Sequence, residues 1–193
     1  MIYTNIPFSP KETPGDLGHA YDKFMSRLEE NDWACFLDHD AMFLHKDWYK
    51  TLEEVIESHK YDKSGNEYGI FTCYTNRVGN PNQIWAGASS NINYLTKSHD
   101  IRYHRELAEN IAEQKLKVIP FRYIASTDPK KRNKLSGMMM LISKRAWNKI
   151  RTNSDAIKGF LGVDNRIHKA ASDKGFGTGL INNLYVYHWY RDS

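Results

Sequence analysis

Apolar positions along this chain follow two rhythms. Some form short unbroken runs, and others recur every third or fourth residue. The runs predict strands over 2–6, 33–37, 69–75, 117–124, 137–142 and 184–190. The spaced residues predict helices. Leu17, Tyr21, Phe24 and Leu28 mark a helix over 17–30, with Asp16 as its N-cap, and Trp48, Leu52, Val55 and Ile56 mark a second. Tyr103, Leu107 and Ile111 mark a third behind Ser98 or Asp100, and Trp147 with Ile150 a short fourth behind Ser143. Val163, Ile167, Ala170 and Ala171 mark a last one, which Gly175 stops. The 137–142 run is apolar throughout, so both its faces should be covered. In the final run, alternation places Leu184, Val186 and His188 on one face and Tyr185, Tyr187 and Trp189 on the other. Strands and helices alternating over short connections predict an α/β fold, with a mixed, mostly parallel sheet flanked by helices. One domain over 1–193 is expected.

Composition narrows the class. The charged fraction of 26% and hydrophobic fraction of 40% are those of a globular protein. The net charge of +4 suits an anionic small ligand and does not call for nucleic acid. Twelve Tyr and five Trp favour sites with one apolar and one hydrogen-bonding edge. Cys35 and Cys73 fall within predicted strands, where buried free thiols are expected. The first residues lack a basic stretch followed by an apolar one, and no run reaches membrane-spanning length, so a cytoplasmic protein without a transmembrane segment is expected.

Candidate chemistry starts where the 33–37 run meets Asp38-His39-Asp40. Two carboxylates beside an apolar strand are costly unless something offsets their charge, and a hard divalent cation with oxygen ligands does so. A polar turn capping the strand is the alternative. Ligands of α/β sheets bind beyond the carboxyl ends of strands. That rule makes Thr4 and Asn5, at the end of the first strand, candidates for a ligand site with Gly18 and Tyr21. Gly18 weakens the first turn of its helix, which close approach of a ligand would explain, as would simple fraying. The loop 126–134 holds four basic residues in five positions, a solvated loop or a clamp for phosphate. Pro7 and Pro10 close the first strand, and a loop with Lys11, Pro14 and Gly15 follows.

The order of these motifs resembles the GT-A fold of nucleotide-sugar glycosyltransferases, in a small family-2-like form. Phe36-Leu37-Asp38-His39-Asp40 followed by His45 to Tyr49 looks like that family's Asp-x-Asp strand and next helix. Ser136 to Trp147 looks like its glycine-led apolar strand and helix, and Phe160-Leu161-Gly162-Val163-Asp164 with Arg166 resembles its acidic motif. The chain departs from the pattern in two places. A single helix separates the first strand from Asp-x-Asp, and Val163 stands where the family often has Glu.

The resemblance implies transfer of a sugar from a nucleoside-diphosphate sugar to a hydroxyl of a glycan or other acceptor. It implies Mn²⁺ or Mg²⁺ held by Asp38, Asp40 and His188, and a donor held by Thr4, Asn5, Gly18, Tyr21, Asp38 and His39. Asp164 is the implied base of an inverting displacement. Two other readings compete. A haloacid-dehalogenase-type phosphatase would use Asp38 as nucleophile, although Ala41-Met42 stands where that family usually has Thr or Val. A sugar-binding module without catalysis would keep the fold alone.

Overall fold

The computed structural model describes residues 1–8, 15–85, 92–128 and 131–189, apart from the side chains of residues 92–94. Pro10, Lys11, Pro14, Pro129, Lys130 and Tyr190 of the loops and strand expected above lie outside them. Seven strands form one sheet: β1 (Ile2–Asn5), β2 (Trp33–Leu37), β3 (Ala41–Phe43), β4 (Tyr68–Thr75), β5 (Val118–Pro120), β6 (Met139–Ser143) and β7 (Gly177–His188). The order is β1-β2-β6-β4-β7-β3, with β5 also on β7. The mixed α/β sheet expected from the pattern is present. Its parallel pairs are β1 with β2 and β4 with β7, and the other four are antiparallel. Antiparallel β6, inserted between β2 and β4, accounts for two of those four.

The helices are α1 (Leu17–Met25), α2 (Trp48–Ser58), α3 (Ile92–Lys97), α4 (Ile101–Ala112), α5 (Lys144–Ile150) and α6 (Val163–Asp173). Their caps follow sequence chemistry. Asp16 accepts from the His19 N–H, Asp100 from Arg102 and Ser143 from Ala146. Helix α1 stops short of residue 30. The Asp32 carboxylate accepts from the Glu29 N–H and pairs with the N-terminal amine, so the chain turns early into β2. No helix among the described residues is long and apolar enough to cross a membrane.

Strand β6 is covered on both faces, as its composition demands. Met140 and Ile142 face one cluster with Trp147 and Ile167, while Met139 and Leu141 face another with Leu52 and Val55. Cys35 and Cys73 are free and buried, and burial pushes the Cys35 thiol up to about 12. Strand β7 is much longer than its apolar run. Its first half holds Gly177, Gly179, Asn182 and Asn183, residues that read as a turn, yet every residue of the strand is buried. A register shift separates Ile181 from Tyr185 along β4. Within it, the Asn182 side chain accepts from the Lys117 N–H and donates to the Lys115 carbonyl. Along its other edge β7 carries β5 at residues 179–181 and β3 at residues 186–188.

Candidate metal centre and the cleft around it

Strand β2 ends at Leu37, and the next residue, Asp38, donates its N–H to the Met138 carbonyl at 3.0 Å. The chain then turns sharply, with the Ala41 N–H on the Asp38 carbonyl, and starts β3. Only three residues long, β3 pairs Ala41 with His188. The Trp189 N–H donates to the Asp40 carbonyl at 2.7 Å. These pairings fix the Asp-x-Asp turn against the carboxyl end of β7.

The consequence is a cluster of three ligand-type side chains. One ligand atom each from Asp38, Asp40 and His188 lies within 4.8 Å of the others. His188 Nε2 is 3.2 Å from Asp40 Oδ1 and 3.9 Å from Asp38 Oδ2. Two ligands at right angles, each ~2.1 Å from one cation, stand about 3 Å apart. The His188–Asp40 separation matches that spacing. The other ring nitrogen, Nδ1, lies 2.8 Å from the Arg77 carbonyl. A carbonyl only accepts, so Nδ1 donates its proton there and Nε2 is the ring nitrogen that faces the carboxylates. This is the outer support that metal-binding histidines normally have. Asn76, buried beside it, accepts from the His188 N–H at 2.8 Å and donates to the His188 carbonyl at 3.1 Å. Two acids and an imidazole suit Mn²⁺ or Mg²⁺.

The electrostatics agree. Burial raises the Asp38 carboxyl to about 6. His188 opposes that rise, while the Asp40 and Asp164 charges add to it. Tyr21, its ring tilted against Phe36 with centroids 4.6 Å apart, is also pushed up by burial and by Asp38 and Asp164. Carboxyl groups are thus crowded here and only partly offset by the imidazoles of His188 and His39, which is the condition a cation relieves.

No protein-family model matches this chain, and no curated protein matches it significantly. Its functional reading rests on the site.

Tyr21, Asp38, His39, Asp40, Asp164 and His188 all line one cleft of about 510 Å³. Asp164 belongs to the first turn of α6. The N-cap itself is Gly162 at φ 70°, so Asp164 is not the cap. Its Oδ2 accepts from the Gly137 N–H at 2.8 Å, and its Oδ1 accepts from the Asn165 backbone and side chain. Burial raises its pKa against those hydrogen bonds. A side chain on Gly137 would press on the Asp164 Cβ at 3.0 Å, so the glycine permits the approach.

Three candidates fall elsewhere. Thr4 is exposed on β1, and Asn5 lines a separate cleft of about 180 Å³ with Phe24 and Arg27. Gly18 has a different cause from the one expected. A Cβ there would lie 1.9 Å from the Ile157 carbonyl oxygen, and the Gly18 N–H donates to the Gly159 carbonyl. The close neighbour is the chain itself. Sequence reasoning missed Asn76, the Arg77 carbonyl and Gly137. Their only signal was position, in the polar loop after β4 and just before β6.

Proposed function

We propose that this chain is a metal-dependent glycosyltransferase that moves a sugar from a nucleoside-diphosphate sugar to an acceptor hydroxyl. The observation that carries the reading is the meeting of Asp38, Asp40 and His188 at strand ends, in one cleft with Asp164. A divalent cation bound there supplies charge to neutralise the departing diphosphate. Asp40 and His188 would hold it, and Asp38 would complete the set. His39 and Tyr21 border the donor.

The transfer balances on these residues. The acceptor oxygen forms a bond to the anomeric carbon as the bond from that carbon to the diphosphate oxygen breaks. The diphosphate leaves with the electron pair, and the acceptor proton passes to the Asp164 carboxylate. Oδ1 already accepts two hydrogen bonds, whereas Oδ2 accepts one and keeps a lone pair for the acceptor proton. Its burial favours taking up a proton.

A panel of nucleoside-diphosphate sugars with and without Mn²⁺, read by melting temperature and by release of nucleoside diphosphate, tests the reading. Stabilisation that requires both metal and nucleotide, with product release in the presence of an acceptor, is expected. Metal-dependent binding without any turnover would leave a sugar-binding module. Absence of both would reject the proposal.

A further inference from the structure

A second and larger cavity, about 620 Å³, adjoins the acidic cleft. The two share Gly162, and Ser136 and Asn165 of the second flank Gly137 and Asp164 of the first. The Gly137–Asp164 hydrogen bond is therefore the partition between them. Their charges are opposite. Arg132, Lys134, Arg166 and Lys169 line the second cavity, and among the described residues no Asp or Glu does. Of these four, among the described residues, only Lys169 has a carboxylate partner, Asp173 on the same helix. Arg166 donates to the carbonyls of Asp155, Lys158 and Leu161, which take up three of its five N–H groups and leave its charge uncompensated. Among the described residues, Arg132 and Lys134 form no ion pair. Like charges gathered around one concavity repel one another, and an anion removes that repulsion. Tyr123 also lines the cavity, and tyrosine combines an apolar ring with a hydrogen-bonding hydroxyl suited to a sugar.

We infer that this cavity is the acceptor side of the site, and that it takes an acceptor carrying an anionic group, a phosphate or a carboxylate on a sugar. The inference rests on the glycosyltransferase reading and narrows its acceptor class. Arg132 and Lys134 bind the anion. Arg166 holds the 155–161 loop in place and contributes its field. The acceptor hydroxyl then reaches across the partition to Asp164.

Calorimetric titration in EDTA, where no metal contributes, isolates this cavity. Glucose 6-phosphate, glucuronate and glucose are the probes. The wild type should bind one or both anions and not glucose, and the anion that binds identifies the chemistry. Arg132→Glu with Lys134→Glu should weaken that binding by about 10- to 100-fold, the scale of charge-assisted hydrogen bonds. Arg132→Ala, which trims one exposed side chain, should weaken it several-fold and remains informative if the double variant does not fold. No anion binding by the wild type, equal binding of glucose, or wild-type affinity in a folded variant would overturn the inference. Binding of Mn²⁺ with uridine diphosphate is measured in parallel. If that holds while the anions fail, the acceptor inference alone falls. If it fails while the anions bind, the glycosyltransferase reading falls and an anion site remains.

Discussion

His188 and Arg77 are joined by a 2.8 Å hydrogen bond from imidazole Nδ1 to a main-chain carbonyl. That contact decides which ring nitrogen faces Asp40. Asn76 fixes the His188 backbone in the same way that a neighbouring strand would. Together they aim Nε2 at two carboxylates before any ligand arrives, and preorganisation of this kind lowers the cost of binding.

Replacement of Asn76 by Ala should therefore weaken metal binding without touching a ligand. It removes both hydrogen bonds that hold the His188 backbone. A loss of about 10-fold or more in Mn²⁺ affinity is expected, the scale seen for outer-shell partners. His188→Ala and Asp40→Ala should lose more. Electron paramagnetic titration of free Mn²⁺ measures all three, and wild-type affinity in His188→Ala would remove that residue from the site.

Asp164→Asn should lower transfer by roughly 10²-fold or more while leaving nucleotide affinity nearly unchanged. It also carries a structural cost. Both carboxylate oxygens accept from N–H groups, of Gly137 and Asn165, and an amide offers only one oxygen. One donor is left facing an NH₂ group, at a cost of about 1–3 kcal/mol. Turnover is accordingly compared well below the variant's own melting temperature. Near-normal turnover there would exclude Asp164 as the base.

Gly18→Ala should destabilise the fold and spare the site. The new methyl would stand 1.9 Å from the Ile157 carbonyl oxygen, which belongs to backbone and cannot swing aside. A loss of roughly 1–3 kcal/mol or more is expected from such overpacking. Thermal melts report it. If the variant melts like the wild type but binds nucleotide poorly, a ligand approaches Gly18 after all.

Acid should weaken the fold through His168. Its Nδ1 accepts from the Leu135 N–H, its Nε2 donates to the Phe121 carbonyl, and burial lowers it from 6.5 to about 4. The unfolded chain thus takes up this proton first. The stability contributed is complete above pH ~6.5 and is lost as pH falls toward 4, to a total on the order of 2–3 kcal/mol. Asp38 and Asp164, with raised pKa values, act in the opposite direction over similar pH. The comparison is therefore between wild type and His168→Gln, by urea unfolding at pH 4 to 7. Parallel pH dependences would contradict this role.

Much of this was legible from residue pattern alone. Apolar runs ending in Asp38-His39-Asp40 located one wall of the cleft, and alternation from Leu184 placed His188 on a defined face. What escaped was long-range or too short to show a period. Three residues, Ala41 to Phe43, cannot display strand rhythm, yet their pairing is what brings His188 to Asp40. The first half of β7 is hidden because Gly177, Gly179 and the two asparagines carry turn chemistry, and burial within the sheet overrides it. The supporting Arg77 contact is a main-chain carbonyl, and no side chain announces it.

The placement of β7 also bears on how the protein forms. It is the last strand to leave the ribosome among those described, yet it lies inside the sheet, with β4 on one edge and β3 and β5 on the other. Until it arrives, three earlier strands hold unpaired edges, and Asp38 and Asp40 lack their imidazole. Such non-local closure is slow and leaves partly made chains prone to aggregate. A nascent chain lacking β7 has no cation site to stabilise it. A cation held by these three residues would therefore act only as a late lock on an already assembled sheet, never as the nucleus around which it gathers.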